Sequence, residues 1–419
     1  MVRRIKILHF SWEFPPSIVG GLGTFVTELS SMQVKMGNEV TVFTLNTGNN
    51  LITVDNYKGV EVHRPKIPDF TSPFFLFADN ELRQWGDNFK FFADVVSYNV
   101  LSASKIIHLL AGKNGRVFDI VDAHDWLGIM GGMSVKKELK IPLVFHIHST
   151  EKGRTRGRGS RTIEDMEYEG GDAADCVITV SEAMREELYR LGFPPKKIKV
   201  CWNGVDVDKY NPLRVSEEER IRIRRNYGVQ DDEKMLFFIG RLVGVKGPDN
   251  LIKSMPAILE EFPKTKLVLL GTGEMENYLR ILIKEIGLED EVILRAEFVD
   301  EEERIRHYAA ADVVVLPSLY EPFGIVCTEA MSMAKPVVVG AKGTSGMKEQ
   351  VIPNGEKQCG MHINPYDPND IAWGVKQILG MEDCGAWMGR NGRERAIQNF
   401  RWDIVASRTL EIYREVLYR

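Results

Sequence analysis

The stretch Val313–Glu329 reads Val-Val-Val-Leu-Pro-Ser-Leu-Tyr-Glu-Pro-Phe-Gly-Ile-Val-Cys-Thr-Glu and joins a short apolar run to an amphipathic one. The run Val313–Leu316 predicts a buried strand, because continuous β-branched runs are typical of parallel sheets covered on both faces. Pro317 follows this run directly, and a helix is predicted over Gly324–Met333 after Pro322-Phe323. A strand that leads directly into a helix is the repeating unit of α/β proteins.

The loop and the helix start in this stretch also carry groups suited to a ligand. Glu321 precedes the helix, and Glu329 lies about two turns into it, where a buried carboxylate needs a partner. A helix N-terminus attracts anions, so a phosphate is expected to bind the N–H groups of Gly324, Ile325 and Val326. The alternative, a helix cap followed by a surface glutamate, stays open.

The same alternation of strand and helix runs through the whole chain. In the first half, strands are predicted at Ile5–Phe10, Val40–Leu45, Ile120–Ala123, Leu143–Ile147, Cys176–Val180 and Ile198–Trp202. In the second half, they are predicted at Met235–Ile239, Leu267–Leu270, Val292–Leu294, Val313–Leu316, Pro336–Val339 and His362–Asn364. Helices are predicted at Thr24–Met36, Gln84–Ala111, Glu182–Leu191, Asn250–Glu261, Met275–Ile286, Glu302–Ala310, Gly324–Met333 and Asp370–Gly380. One sheet of about twelve strands would be unusually large, so we predict two doubly wound α/β domains.

The predicted division between the domains lies in 205–217, where Pro212 discourages continuous secondary structure. We therefore predict an N-terminal domain over residues 1–208 and a C-terminal domain over 209–400. An amphipathic stretch over 401–419 is expected to form a closing helix. Ligands of open α/β sheets bind at the carboxyl ends of the strands, so a cleft between the domains is the expected active site.

The composition excludes several classes of protein. Of the 419 residues, 44% are hydrophobic and 27% are charged, which argues against a disordered or fibrous chain. The 54 basic and 59 acidic residues give a net charge of −5, so nucleic acid is not an expected partner. The five cysteines form no Cys-x-x-Cys pair, which favours a reducing, cytoplasmic location. No apolar run approaches ~18 residues, so no membrane span is expected.

A second candidate phosphate site follows the strand Met235–Ile239. Arg241 and Lys246 lie five residues apart in a segment that begins and ends with glycine. A guanidinium offers a fork of donors and an ammonium a point charge, which suits a diphosphate. The Walker A pattern is absent from this segment.

In the first half, adjacent glycines and a histidine motif follow two predicted strands. Gly20 and Gly21 either let a ligand approach the backbone or form a tight turn. Asp125, in the sequence His-Asp-Trp, either accepts hydrogen bonds from sugar hydroxyls or caps the next helix. In the sugar-binding interpretation, Trp126 can stack on the apolar face of a sugar.

Two histidines lie on one face of the strand Leu143–Ile147 and its end. His148, at the strand end, is predicted to lie near the reacting carbon, and His146 to be structural. No third ligand is evident for a metal.

Two charged segments each leave two interpretations. Residues 151–161 carry a local charge of +4 and form either a mobile solvated loop or a clamp for an anionic acceptor through Arg154, Arg156 and Arg158. Asp206 and Asp208 form either a structural turn or a metal-binding Asp-x-Asp pair, of which we favour the turn.

Taken together, these motifs resemble retaining glycosyltransferases of the fold with two Rossmann-like domains, known as GT-B. The glycogen and starch synthases, with neighbouring transferases such as sucrose synthases, are the most similar. The resemblance covers nearly the whole chain and rests on Gly20-Gly21-Leu22, His124-Asp125-Trp126, His148, Asn203-Gly204-Val205-Asp206, Arg241…Lys246-Gly247 and Glu321…Glu329.

The resemblance implies a role for each motif. Arg241 and Lys246 would neutralise the leaving diphosphate of a nucleotide sugar, and Glu329 would hold the ribose. The diphosphate would also contact Gly20, Gly21, Gly324, Ile325 and Val326. The transferred sugar would contact Asp125, His148, Asn203 and Glu321. Catalysis would rest on His148, Arg241, Lys246 and Glu321, with no metal or other cofactor.

The expected reaction is transfer of glucose from UDP- or ADP-glucose to the non-reducing end of an α-1,4-glucan. Ile18-Val19-Gly20-Gly21 differs from the Lys-x-Gly-Gly of bacterial glycogen synthases, and Thr24 replaces an acid. A phosphorylated-sugar or lipid acceptor is therefore the alternative. A nucleotide-sugar epimerase and a silent carbohydrate-binding relative are further hypotheses; the silent relative is disfavoured because Arg241, Lys246 and Glu321 are all present. Membrane association is not expected, and a homo-oligomer stays open.

Overall fold

The computed structural model describes residues 4–86 and 88–418, and the chain divides into two compact units. Unit 1 comprises Met1–Val180, Arg185–Trp202 and Trp402–Arg419. Unit 2 comprises Ser181–Met184 and Asn203–Arg401. Each unit contains one sheet, and each is described separately below.

The sheet of unit 1 has eight strands in the order β3-β4-β2-β1-β5-β6-β7-β8. All neighbours are parallel except β3, which runs antiparallel to β4. The strands are β1 (Lys6–Phe10), β2 (Glu39–Phe43), β3 (Val54–Tyr57), β4 (Val60–His63), β5 (Ile120–His124), β6 (Leu143–Ile147), β7 (Cys176–Thr179) and β8 (Ile198–Val200).

The sheet of unit 2 has six parallel strands in the order β11-β10-β9-β12-β13-β14. Its strands are β9 (Lys234–Ile239), β10 (Thr265–Leu270), β11 (Val292–Arg295), β12 (Val313–Leu316), β13 (Val337–Gly340) and β14 (Gly360–Ile363). Five of the six residues of β9 and all four of β12 are buried, as expected of a sheet covered on both faces.

The described helices are numbered in chain order. They are α1 (Gly21–Lys35), α2 (Thr71–Phe75), α3 (Asn80–Arg83), α4 (Asn88–Ser104), α5 (Asp125–Leu139), α6 (Glu151–Arg154), α7 (Arg161–Ala173), α8 (Glu182–Arg190), α9 (Glu217–Asn226), α10 (Pro248–Leu259), α11 (Glu276–Ile286), α12 (Glu301–Ala310), α13 (Ile325–Ser332), α14 (Met347–Gln350), α15 (Pro368–Leu379), α16 (Ala386–Asn399) and α17 (Trp402–Leu417). A π-helical segment, Lys105–Lys113, continues α4. Short 3₁₀ turns occur at Thr47–Asn49, Pro195–Lys197, Pro212–Arg214 and Gly244–Lys246.

The fold class predicted from the sequence, two doubly wound α/β domains, is confirmed. Each predicted strand is present, and no strand end differs from its prediction by more than two residues. The hairpin of β3 and β4 was not predicted, because Val54–Tyr57 is largely polar and exposed. The helices α7 and α16 were not predicted either, and for α5 only a helix start near Asp125 was predicted. Asp87, within the predicted helix Gln84–Ala111, and Arg419, at the end of the predicted closing helix, lie outside the described residues.

The predicted domain boundary at Asp208 lies too late in the chain. The units divide after Trp202, because the segment that follows is bonded to the far end of unit 2. The Val205 N–H donates to the Phe400 carbonyl over 2.6 Å. The closing helix is α17, which belongs to unit 1 and packs against α1.

The continuous helical stretch Asn88–Lys113 is long and apolar enough to pass a length-and-composition test for crossing a membrane. Of its most apolar window, 44% is buried within the protein, and α4 packs against α5. Core helices of soluble proteins pass the same test, so this stretch is weak evidence for a membrane span.

Candidate active site

In unit 2, the order of the strands reverses between β9 and β12, which lie side by side. The loops after these two strands, 240–247 and 317–324, therefore leave the same edge of the sheet in opposite directions. Such a topological switch point is where open α/β sheets bind ligands. Both loops contain residues that were predicted to bind a diphosphate.

The side chains of Lys246 and Glu321 form an ion pair across these two loops. Glu321 is 7% exposed, and its carboxylate also accepts a hydrogen bond from the Ser318 hydroxyl at 3.3 Å. Its backbone is held by a third loop: the Glu321 N–H donates to Thr344 O, and the Gly346 N–H donates to Glu321 O. The predicted pair of catalytic residues therefore comes together on a rigid backbone.

Arg241 is exposed, and within residues 4–86 and 88–418 no hydrogen bond or ion pair involves its side chain. The backbone beside it is fixed by a loop after β10 that the sequence reasoning missed, Gly271-Thr272-Gly273. The Leu242 N–H donates to Thr272 O at 2.8 Å. A Cβ atom at Gly271 would lie 2.0 Å from the Gly240 carbonyl oxygen. The Gly-x-Gly pattern directly after an apolar strand was the signal for this loop.

Helix α13 begins directly after Gly324, whose φ of 94° lies in the left-handed region that favours glycine. A Cβ at this position would lie 2.8 Å from Met347 Cγ, so the turn is closely packed as well. The first N–H groups of a helix have no partner within it. Those of Ile325 and Val326 are therefore placed at the helix end, as predicted for a phosphate.

Glu329 lies inside unit 2 and is 4% exposed. Its Oε2 accepts a hydrogen bond from the Tyr308 hydroxyl at 2.8 Å, and its Oε1 lies 3.6 Å from Arg304. Arg304 also donates to the Tyr210 hydroxyl at 2.6 Å. The buried carboxylate has a charged partner, and its predicted contact with a ribose stays a prediction.

Unit 1 has its own switch point between β1 and β5. Gly20 is exposed and extended, and a Cβ there would meet no atom within 4 Å. Neither backbone conformation nor crowding demands a glycine, which favours close ligand approach over a tight turn. The sequence reasoning missed Glu13, whose Oε2 accepts from the N–H groups of Val19 and Gly20, both at 3.0 Å. Gly21 is the first residue of α1.

Asp125 is buried, and its φ of 52° is strained for a residue other than glycine. Its Oδ1 accepts a hydrogen bond from the His148 N–H at 2.7 Å, which joins the ends of β5 and β6. Burial raises the pKa of Asp125 to about 6, and the positive charge of Arg154 opposes this rise. The expected stacking of Trp126 on a sugar is wrong, because Trp126 is 4% exposed and packs against Phe92.

His148 lies half-buried at the end of β6, with its Nε2 3.1 Å from His124 Nδ1. His146 is fully buried, with its Nδ1 3.4 Å from Asp122 Oδ2, in agreement with a structural role. Asn203 begins the second segment of unit 2, and its buried Oδ1 accepts no hydrogen bond in the described part of the chain. That oxygen is an available acceptor for a ligand hydroxyl.

The arginine-rich segment was left open as a mobile solvated loop or an anion clamp; its first four residues form α6. Arg154 donates to Glu151 Oε2 at 2.7 Å and to Ser149 Oγ at 3.1 Å, so it acts inside unit 1 and not as an open clamp. Arg156 and Arg158 are exposed.

Asp206 lies in a turn. Its Oδ1 accepts hydrogen bonds from the N–H groups of Asp208 at 3.1 Å and Lys209 at 3.0 Å. This pattern is a side-chain turn that occupies the carboxylate. It favours the structural interpretation of Asp206 and Asp208 over the metal-binding one.

Two family profiles match the chain. The profile "Glycosyltransferase Family 4" matches residues 92–209, and the profile "Glycosyl transferases group 1" matches residues 219–395. The second match covers the loops with Lys246, Glu321 and Gly324.

Three relatives align over nearly the full length. An uncharacterised glycosyltransferase of Methanocaldococcus jannaschii is 35% identical over 414 residues, 98% of each chain. A D-inositol 3-phosphate glycosyltransferase of Kineococcus radiotolerans is 30% identical over 428 aligned positions, 95% of this chain and 91% of the relative. A glycogen synthase of Mycobacterium tuberculosis is 28% identical over 418 residues, which are 98% of this chain and 94% of the relative. The chain therefore belongs to the group 1 glycosyltransferases of the GT-B type and is a hexosyltransferase.

Proposed function

We propose that this protein is a retaining glucosyltransferase that moves glucose from UDP- or ADP-glucose to the non-reducing end of an α-1,4-glucan. The observation that carries the proposal is the convergence of Arg241, Lys246, Glu321 and the start of α13 at one switch point. The glycogen synthase relative supports the glucan acceptor. None of the five cysteines, which all lie in the described part of the chain, forms a disulfide bond, and this supports a cytoplasmic location as part of the proposal.

Breaking the bond between glucose and a diphosphate leaves negative charge on the diphosphate and positive charge on the sugar ring. Fixed cations that meet the developing negative charge are the largest available contribution to catalysis. We assign this role to Arg241 and Lys246, with the first N–H groups of α13 on the phosphate oxygens. The leaving phosphate then accepts the proton of the acceptor hydroxyl on the same face of the sugar, which retains the configuration.

We propose that the transferred glucose is held by side chains that lie at the ends of strands and helices. Glu321 accepts a hydrogen bond from a sugar hydroxyl once a diphosphate competes for Lys246. Asp125 and the Asn203 Oδ1 accept hydrogen bonds from sugar hydroxyls in the same way. His148 contacts the sugar near the anomeric carbon.

A second candidate acceptor is a small phosphorylated sugar. Arg156 and Arg158 are exposed in the arginine-rich segment, where a phosphate could be bound. The 30% identical relative is named for transfer to an inositol phosphate, which supports the same class.

The deciding experiment offers radiolabelled UDP-, ADP- and GDP-glucose with glycogen, maltose, inositol phosphate or glucose 6-phosphate as acceptor. Labelled glycogen or malto-oligosaccharide with an α linkage supports the main proposal. Label only in phosphosugar products supports the second candidate. Interconversion of UDP-sugars without transfer would overturn both in favour of an epimerase.

Activity is expected to survive removal of divalent cations, because Arg241 and Lys246 supply the positive charge that a metal supplies elsewhere. Initial rates would be measured after dialysis against EDTA and again after Mg²⁺ or Mn²⁺ is restored. Loss of activity on dialysis and recovery with metal would contradict this prediction. It would favour Asp206 and Asp208 as metal ligands.

The value of kcat/KM is expected to fall as the pH drops through about 6, because Asp125 then becomes protonated and no longer accepts hydrogen bonds with both oxygens. This position lies above the ordinary pKa of 3.8 because Asp125 is buried. In Arg154→Gln the fall should begin at a higher pH, since the charge of Arg154 favours the carboxylate form. The variant Arg158→Gln, at an exposed arginine, is the matched control. An equal shift in both variants would contradict the assignment of this pH dependence to Asp125.

A further inference from the structure

We propose that a buried hydrogen-bonded chain of Gln33, His9, His124 and His148 fixes the tautomer of His148, with its Nε2 protonated and its Nδ1 left as an acceptor. The inference rests on the proposed function only where it gives His148 a sugar to bind. His9, Gln33 and Tyr413 formed no part of the sequence motifs, and His124 was noted only as the neighbour of Asp125.

The four side chains form three successive contacts of hydrogen-bond length. Gln33 Oε1 lies 2.9 Å from His9 Nε2, His9 Nδ1 lies 3.0 Å from His124 Nε2, and His124 Nδ1 lies 3.1 Å from His148 Nε2. Gln33, His9 and His124 are each 0% exposed. No solvent therefore competes along the first two contacts.

The ring orientations suit hydrogen bonds between ring edges. The planes of His9 and His124 are inclined by 26° with centroids 5.3 Å apart, and those of His124 and His148 by 25° with centroids 5.4 Å apart. Imidazole lone pairs and N–H bonds lie in the ring plane, so near-coplanar rings direct them at one another.

The direction of the chain follows from the amide oxygen at its start. A carbonyl oxygen only accepts, so His9 Nε2 carries a proton. Burial lowers the pKa of His9, His124 and His148, which keeps all three rings neutral near pH 7. A neutral ring has one donor and one acceptor nitrogen. His9 Nδ1 therefore accepts from His124 Nε2, His124 Nδ1 accepts from His148 Nε2, and Nδ1 of His148 has no proton.

A carboxylate and a phenol support the start of the chain. Asp122 Oδ2 lies 3.9 Å from His9 Nδ1 and 3.8 Å from His124 Nε2, and it accepts a hydrogen bond from the Tyr413 hydroxyl. Burial and Asp122 raise the pKa of Tyr413. The orientation of the Gln33 amide follows from the contact of its Oε1 with His9 Nε2.

The tautomer of His148 determines which kind of sugar group can bind to its Nδ1. A ring nitrogen without a proton accepts a hydrogen bond, so this contact selects a donor group on the sugar. Replacing that hydroxyl by fluorine, which cannot donate, should lower kcat/KM, whereas an amino group should be tolerated. Gln33, His9 and His124 are thus positioning residues for His148.

The test uses the full-length protein without substrate, labelled with ¹⁵N-histidine, and long-range ¹H–¹⁵N spectra that separate protonated from unprotonated ring nitrogens. His148 is assigned from the signal absent in His148→Gln. Wild-type protein at pH 7 should show an unprotonated Nδ1 and a protonated Nε2. Gln33→Met should convert His148 to a mixture of tautomers and lower kcat/KM roughly fivefold to tenfold, about one net hydrogen bond. Gln33→Glu, which retains the acceptor oxygen, should restore the tautomer.

Ser30→Ala is the matched control, because Ser30 lies buried on the same helix and its hydroxyl binds only the Thr27 carbonyl. A protonated Nδ1 in wild-type His148, or one tautomer that persists in folded Gln33→Met, would overturn the proposal. So would a stoichiometric metal ion in the purified protein whose removal changes the histidine signals, because metal-bound nitrogens cannot donate. If Gln33→Met does not fold, the wild-type spectrum alone decides. All these readouts are independent of which sugar is transferred.

Discussion

Turnover of the Lys246→Ala variant is expected to fall by about 100-fold or more, the scale for losing one fixed group that stabilises developing charge. The reason is twofold. The leaving diphosphate loses its ammonium partner, and Glu321, which is 7% exposed, loses the cation that pairs with it. Single-turnover rates with saturating UDP- or ADP-glucose would measure the effect on the chemical step.

The matched control is Lys253→Ala on α10, whose partner Asp249 lies one helical turn away on the same surface. Such exposed pairs contribute little, so its turnover should stay within about twofold of the wild type. The unfolding midpoints of both variants should also be compared, because an unpaired buried carboxylate destabilises the protein. Unchanged turnover in folded Lys246→Ala would remove this lysine from the active site.

The second large effect is expected for Gly271→Ala, which should lower the free energy of unfolding by about 2–4 kcal/mol. The φ of Gly271 is 146°, which a residue with a side chain rarely adopts. The new Cβ would lie 2.0 Å from the Gly240 carbonyl oxygen, so the backbone that carries Arg241 must move. We therefore also expect weaker binding of UDP or ADP, measured by calorimetry, by about tenfold.

Gly244→Ala provides the comparison, because Gly244 lies in the same loop as Arg241 and Lys246 and a Cβ there would meet no atom within 4 Å. Its φ does not lie in the left-handed region. Urea denaturation of the two variants should therefore differ by at least 2 kcal/mol. Equal free energies of unfolding would contradict this prediction, because they would show that the loop after β10 accommodates a Cβ atom without loss of stability.

The predicted strands were found because buried parallel strands are local apolar runs, such as Val313–Leu316, and short sequence windows reveal them. Strand β3 escaped detection because Val54–Tyr57 is largely polar and exposed and is stabilised by pairing with β4, not by its own hydrophobicity. Likewise, the domain boundary was placed too late because the bond between Val205 and Phe400 joins residues far apart in the chain.

The place of Arg241, Lys246, Glu321 and Gly324 could be predicted, because each lies in a loop that follows a strand and the strand carries that loop to the edge of the sheet. Their roles in binding and catalysis stay predictions. The interpretation of Arg154 as an open anion clamp was wrong, because its partners Glu151 and Ser149 and the nearby charge of Asp125 become evident only in the folded unit.

The sequence by itself determined the two α/β domains, the strand ends that carry the active-site candidates and the cationic character of the candidate phosphate site. Each of these depends on patterns within a few neighbouring residues. Only the tertiary structure decided that Lys246 pairs with Glu321 and that Gln33, His9, His124 and His148 form one chain. Hydrogen-bond partners of buried polar groups are set by packing between distant segments, and no local pattern of residue types records that packing.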